Sequence, residues 1–295
     1  MKKTVFKGSA TAIVTPMYPD GSVNFEKFRE LLDYQINYGT DAVVVCGTTG
    51  ESATLNTEEH VKTIECAVQH VNGRIPVIAG TGSNDTAYGI ELSKEAESLG
   101  ADALLMVTPY YNKTSQSGLI RHFNAMADAV SVPVILYNVP SRTGCNILPK
   151  TCLELSKHEN IVAIKEACGN ISQIAETMAL CGEELPVYSG NDDQTVPIMS
   201  LGGIGVISVF ANILPKTMHD IAASCLGGDF KTASALHLKY LDLMNALFCD
   251  VNPIPVKAAM NMLGLEVGEP RLPLDLLNES NSKFLEGILS KHGIL

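Results

Sequence analysis

Ile161-Val162-Ala163-Ile164-Lys165 is the stretch on which the fold turns. Four apolar residues in a row, three of them β-branched, leave no polar face for solvent, so the segment reads as a strand covered on both sides. Parallel sheets have that property because crossover helices shield both faces. The run closes on a lysine. Desolvation disfavours an ammonium in such a place and draws its pKa down from the ordinary ~10.4, and the neutral amine can then attack a carbonyl carbon to form a Schiff base. The competing reading is a stem that lines the core, with its head in water or paired with Glu166.

Similar runs recur every ~20 to 35 residues, each followed by a helical pattern, which is the mark of parallel βα units. The strands are predicted at Ala10–Met17, Ala42–Cys46, Pro76–Ala79, Ala103–Val107, Pro133–Tyr137, Ile161–Lys165, Pro186–Ser189 and Gly205–Val209. Three open alike, at Ile75-Pro76-Val77, Val132-Pro133-Val134 and Leu185-Pro186-Val187, with proline where no ladder donor is lost. Two others share the entry Gly39-Thr40-Asp41-Ala42 and Gly100-Ala101-Asp102-Ala103, in which the glycine ends the preceding helix. Among the helices, Phe25, Phe28, Leu31, Leu32 and Ile36 keep a 3.6 period, and Thr57 is expected to cap a helix carrying Glu58 and Glu59 in its first turn. Eight such units predict an α/β fold, a (β/α)8 TIM barrel over residues 1–225. A doubly wound sheet is the alternative, but it calls for a glycine fingerprint in the first βα turn, which is missing here. Beyond Gly228 the pattern turns to amphipathic helices (Thr232–Phe248, Pro255–Leu263), so residues 226–295 are expected to form a small all-helical appendage.

With 295 residues, 46% hydrophobic and 18% charged, the chain can bury a large core. Its net charge of −11 argues against nucleic acid or an anionic membrane as partner. Gly8, Ser9, Thr11, Thr15 and Pro16 interrupt any apolar stretch near the N-terminus, and the eight cysteines contain no C-x-x-C pair. A cytoplasmic protein with small buried thiols is expected.

A barrel of this type carries its active site at the carboxyl ends of the strands. Those ends read Gly47-Thr48-Thr49-Gly50-Glu51, Thr108-Pro109-Tyr110-Tyr111-Asn112, Tyr137-Asn138-Val139-Pro140-Ser141-Arg142-Thr143-Gly144, Lys165-Glu166 and Ser189-Gly190-Asn191-Asp192. A lysine nucleophile, two candidate proton-transfer tyrosines, two threonine hydroxyls flanked by glycines and an arginine converge on one mouth. That set suits Schiff-base chemistry on a small keto acid, with Thr49 and backbone N–H groups meeting the carboxylate and tyrosines moving protons. Taken singly, each has a plainer reading: glycine-threonine turns are common loop chemistry, and Tyr137 could be a strand-end aromatic. None of the seven histidines has metal-ligand spacing, so no metal is assigned.

These motifs, together with Gly205-Val206-Ile207-Ser208-Val209 and Gly268-Glu269-Pro270-Arg271-Leu272-Pro273-Leu274, resemble the dihydrodipicolinate synthase family of pyruvate-dependent class I aldolases over essentially the whole chain. The resemblance implies that Lys165 forms the Schiff base with pyruvate and that Tyr137, Thr48 and Tyr111 relay protons, with Tyr111 supplied by a neighbouring subunit. It implies that Thr49 and the backbone near Gly190 and Ile207 hold pyruvate, and that Arg142 receives the carboxylate of L-aspartate 4-semialdehyde. It further implies a homo-oligomer, commonly a tetramer built as a dimer of dimers, and a reaction toward lysine that needs no metal or organic cofactor. Relatives such as N-acetylneuraminate lyase and 2-keto-3-deoxy sugar-acid aldolases share the lysine but typically lack Arg142 and carry serine at the first threonine of Gly47–Glu51. A silent barrel that senses a keto acid is the alternative from another class.

Lysine-inhibited relatives have an interface cleft that resembles Ser52, Ala53, Thr57, His60, Asn84, Tyr88 and Tyr110 here. The position that usually offers an acid to the lysine ammonium is Tyr88, so weak or absent feedback inhibition is expected, unless Glu51 or Asp85 substitutes.

Overall fold

Each short apolar run is buried, only Val107 at the end of its strand being partly exposed, and has a parallel partner on either side, so the sheet closes on itself. The computed structural model describes residues 2–295. Its elements are β1 (Gly8–Ala12), α1 (Phe25–Asn37), β2 (Ala42–Val45), α2 (Thr57–Val71), β3 (Val77–Gly80), α3 (Thr86–Ser98), β4 (Ala103–Val107), α4 (Gln116–Asp128), β5 (Val134–Asn138), α5 (Pro140–Thr143), α6 (Pro149–Leu155), β6 (Ile161–Glu166), α7 (Ile171–Cys181), β7 (Val187–Ser189), α8 (Thr195–Ser200), β8 (Gly205–Ser208), α9 (Pro215–Leu226), α10 (Phe230–Ala246), α11 (Ile254–Met262) and α12 (Glu279–Lys291). The strands form a closed parallel barrel in sequence order, with β1 pairing both β2 and β8. That closure makes the fold a TIM barrel and rules out the doubly wound sheet.

The repeated strand entries have a mechanical purpose. Pro76, Pro133 and Pro186 each lie one residue before their strand and accept a ladder bond from the preceding strand, at Val43 N (3.0 Å), Leu104 N (2.9 Å) and Ile164 N (3.0 Å) respectively, while their missing N–H costs nothing. Asp41 and Asp102 close the same edge: their carboxylates accept from Ser9 N and Val77 N, both at 2.8 Å. Gly39 and Gly100 end α1 and α3 with φ of +85° and +93°, a left-handed conformation that favours glycine.

Two local expectations shift. The first strand is Gly8–Ala12 rather than Ala10–Met17. Residues 13–17 are equally buried, which is why hydrophobicity ran on, but Val14 N bonds Asn212 Oδ1 and the ladder ends. The cap of α2 is Asn56 rather than Thr57, in a reciprocal capping box with Glu59.

Apolar side chains divide into a barrel interior, including Val44, Ile78, Ile135, Tyr188 and Ile207, and a larger shell between barrel and helices. The shell continues without a break into Leu243, Met244, Val256, Met260, Leu285 and Leu289 of the C-terminal helices. Those helices thereby bring residues 250–274 over the carboxyl-end mouth.

Candidate active site

Strand alternation sends Ala163 and Lys165 inward and Ile164 and Glu166 outward. Glu166 is therefore not the partner of Lys165. Its carboxylate accepts from Asn138 Nδ2 (3.0 and 3.1 Å) and Cys168 N (2.9 Å) behind the strand. Lys165 lies in register between Tyr137 on β5 and Tyr188 on β7, and its Nζ sits 4.3 Å from the centroid of the Tyr137 ring. Only 5% of Lys165 is exposed. Burial draws its pKa down to about 8, against the pull of Asp192 and with the help of Arg142.

Lys165 opens into a cavity of about 180 Å³ shared by Thr48, Thr49, Tyr137, Arg142 and Gly190. Burial raises the pKa of the Tyr137 hydroxyl, while nearby Arg142 and a hydrogen bond with Thr48 lower it. Thr49 is buried, and its hydroxyl accepts from Asn252 Nδ2 at 3.0 Å. Arg142 donates through Nη2 to the Asn252 carbonyl at 3.2 Å. Gly190 spends its own N–H on the Glu166 carbonyl (2.8 Å), so it offers the cavity a wall rather than that donor. A Cβ there would lie 2.8 Å from Ala167 Cβ and 3.0 Å from the Glu166 carbonyl oxygen, which makes the position tight for any larger residue. Ile207 is wholly buried on β8 inside the barrel.

Tyr111 stands apart. It is 92% exposed, at φ +69°, on the loop after β4, and lines neither this cavity nor the larger one beside it. That larger cavity, of about 480 Å³, shares Thr48, Arg142 and Asn252 with the first and is also bounded by Ser52, Ala53, His60, Tyr88 and Tyr110. Asn84 is not on its wall; its side chain donates to the Tyr110 carbonyl at 3.1 Å. The Tyr88 hydroxyl pairs with that of Thr57 at 3.1 Å. Neither acid named as a substitute is free to replace the missing carboxylate. Glu51 is buried against Lys257 Nζ (2.8 Å) and Arg271 N (2.9 Å), and Asp85 caps α3 through Ala87 N.

Several residues at the mouth escaped the sequence reading. Asn252 bridges Thr49 and Arg142 from the C-terminal region, and its Oδ1 is buried without a hydrogen-bond partner among the described residues. Lys257 also donates to the carbonyls of Thr15 (3.3 Å) and Glu269 (2.9 Å). Arg271 forks onto Glu59 and reaches the carbonyls of Gly21 and Thr54, both at 2.7 Å. The local signals were Glu51 following the Gly-Thr-Thr-Gly turn and Arg271 inside the Gly268–Leu274 motif, and neither showed a partner that lies more than 200 residues away.

The sequence model of the dihydrodipicolinate synthetase family matches residues 5–292. The 4-hydroxy-tetrahydrodipicolinate synthase of Caldicellulosiruptor saccharolyticus is 56% identical over 290 residues, 98% of each chain. That of Clostridium tetani is 55% identical over 293 residues, 99% of each chain. Among solved structures, the chloride-inhibited dihydrodipicolinate synthase from Acinetobacter baumannii complexed with pyruvate superposes with a TM-score of 0.97 at 45% identity, covering 99% of this chain and 100% of that one. The enzyme from Aquifex aeolicus gives 0.96 at 45% identity, covering 98% and 99%. With its barrel, its buried lysine and nearly its whole length matched, this chain belongs to the dihydrodipicolinate synthetase family.

Proposed function

We propose that this protein is a 4-hydroxy-tetrahydrodipicolinate synthase: a lyase of class I aldolase type that condenses pyruvate with L-aspartate 4-semialdehyde on the route to diaminopimelate and lysine. The observation that carries the reading is the desolvated Lys165 amine, its pKa drawn down to about 8, in a small cavity beside Tyr137.

In this reading Lys165 Nζ adds to C2 of pyruvate, and Tyr137, polarised by Thr48, hands protons to and from the carbinolamine oxygen as water leaves. Thr49 meets the pyruvate carboxylate, with the backbone of Gly190 and Ile207 framing it. Arg142, whose guanidinium suits two-pronged capture of a carboxylate, receives the semialdehyde. The exposure of Tyr111 supports its reaching the site of a neighbouring subunit as the third relay member, and with it a homo-oligomer, a tetramer built as a dimer of dimers. The lysine nitrogen itself becomes the electron sink, so the chemistry calls for no metal or organic cofactor. Eight free cysteines suit a reducing cytoplasm. In this reading the chain divides into a barrel (1–225) and a helical unit (226–295), with the second unit closing the mouth.

The test is turnover of pyruvate plus L-aspartate 4-semialdehyde by the purified protein, followed through a coupled reductase that consumes the cyclic product. Sustained turnover with those two substrates is expected. Turnover with sugar-acid aldehydes in place of the semialdehyde would overturn the assignment.

A further inference from the structure

Thr49 is the residue that meets the pyruvate carboxylate in the reading above, and one hydrogen bond decides whether its hydroxyl can do so. Thr49 is 2% exposed, and among the described residues the one hydrogen-bond partner of its hydroxyl is Asn252 Nδ2, at 3.0 Å. A hydroxyl owns a single proton and accepts through its lone pairs. An amide N–H directed at Thr49 Oγ1 fills an accepting position and leaves that proton free for an acceptor in the cavity. An oxygen in the same place would take the proton for itself.

The amide is held facing this way. Asn252 is 5% exposed and lines both the Lys165 cavity and the larger one beside it. Its Oδ1 has no partner among the described residues. Turning the amide over would put the nitrogen in that place, and a buried donor without an acceptor is rarer and worse than an acceptor without a donor. The main chain of Asn252 has a separate task, since its carbonyl accepts from Arg142 Nη2 at 3.2 Å. In α11, Lys257 grips Glu51, which ends the turn that carries Thr49, so the two segments are fastened together independently of the amide.

We infer that Asn252 is a positioning residue for pyruvate: its side-chain amide keeps the Thr49 hydroxyl a donor to the substrate carboxylate, while its backbone holds Arg142. The inference rests on the reading of Thr49 as the pyruvate contact. Without the amide the hydroxyl is free to turn its proton elsewhere, and binding must order it again. The carboxylate is not the reacting group, so its bond to Thr49 is alike in bound substrate and transition state, and its loss falls on KM rather than kcat.

The experiment is steady-state turnover of pyruvate and L-aspartate 4-semialdehyde by Asn252→Ala, Thr49→Val and the double variant, followed through the coupled reductase. Asn252→Ala is expected to raise KM for pyruvate about five- to tenfold, the loss of one charge-assisted arrangement, with kcat within about twofold. KM for the semialdehyde should also stay within about twofold, because the bond to Arg142 comes from the main chain. Thr49→Val should raise KM for pyruvate about tenfold, and adding Asn252→Ala to it should change that value by less than about twofold, since no hydroxyl remains to be set. A merely structural role would raise both KM values or lower kcat, and its effect would add in full to that of Thr49→Val; either result overturns the proposal. Should Asn252→Ala fold poorly, Asn252→Val, which refills more of the space without a donor, goes through the same cycle against the same criteria. An unchanged KM for pyruvate in Thr49→Val would instead sink the reading of Thr49 as the pyruvate contact, and this inference with it.

Discussion

Lys257→Met tests how the C-terminal unit holds the active-site loop. Lys257 Nζ and the Glu51 carboxylate are 2.8 Å apart, with side chains 1% and 0% exposed, and Lys257 also ties the carbonyls of Thr15 and Glu269. Methionine matches the volume but strands the Glu51 carboxylate in the core without its cation. Breaking one side of a buried pair costs about 3–5 kcal/mol, far more than the pair's net worth, because the remaining charge is uncompensated. For a domain of this size the unfolding midpoint should fall by roughly 6–15 °C, measured by calorimetry at matched protein concentration. Adding Glu51→Gln, whose carbonyl still accepts from Arg271 N, should restore more than half of the loss. Since Glu51 ends the turn that carries Thr48 and Thr49, the single variant should also raise KM for pyruvate. A midpoint within about 2 °C of wild type, or no recovery in the double variant, would refute the claim that this pair latches the loop.

Other outcomes follow from the same geometry. Lys165→Ala should lose turnover by several orders of magnitude while keeping its circular dichroism, because the change removes a desolvated cation from the cavity; near-normal rates would contradict the mechanism. Because burial lowers the Lys165 pKa to about 8, the nucleophilic amine grows as pH rises through that value. The rate of imine formation at low pyruvate should climb from pH 6 and level off above about pH 8. A flat profile across that range would contradict the assignment. Arg142→Ala should raise KM for the semialdehyde much more than for pyruvate; equal effects on both would place the second carboxylate elsewhere. Tyr88 offers lysine no carboxylate, and Glu51 and Asp85 are otherwise engaged, so inhibition by lysine should be at least about tenfold weaker than in sensitive relatives, the loss of one charge-assisted bond. A dose–response curve matching those relatives would refute this.

The sequence carried the barrel because its signals are local. A strand buried on both faces must be apolar throughout, and Pro76, Pro133, Pro186, Gly39 and Gly100 mark its entries for reasons internal to a few residues. The first strand was misdrawn where burial continues but the ladder stops, at Ile13–Met17, since hydrophobicity reports burial rather than pairing. Of the site, Thr48, Thr49, Tyr137, Arg142, Lys165 and Gly190 were legible at strand ends and share one cavity. Lys257, Asn252 and Arg271 were not. A lysine in an amphipathic helix or an asparagine in a loop looks like a solvated residue, and only closure of the chain over 200 residues reveals the buried partner. Asp192 was visible in Ser189-Gly190-Asn191-Asp192, but nothing local told that its carboxylate is buried rather than an exposed turn group.

The most direct test of the central claim is borohydride reduction of the protein in the presence of pyruvate, followed by peptide mass mapping. The account predicts one reduced pyruvyl adduct, on Lys165, absent without pyruvate and absent in Lys165→Ala. An adduct on another lysine, or none while turnover persists, would contradict it.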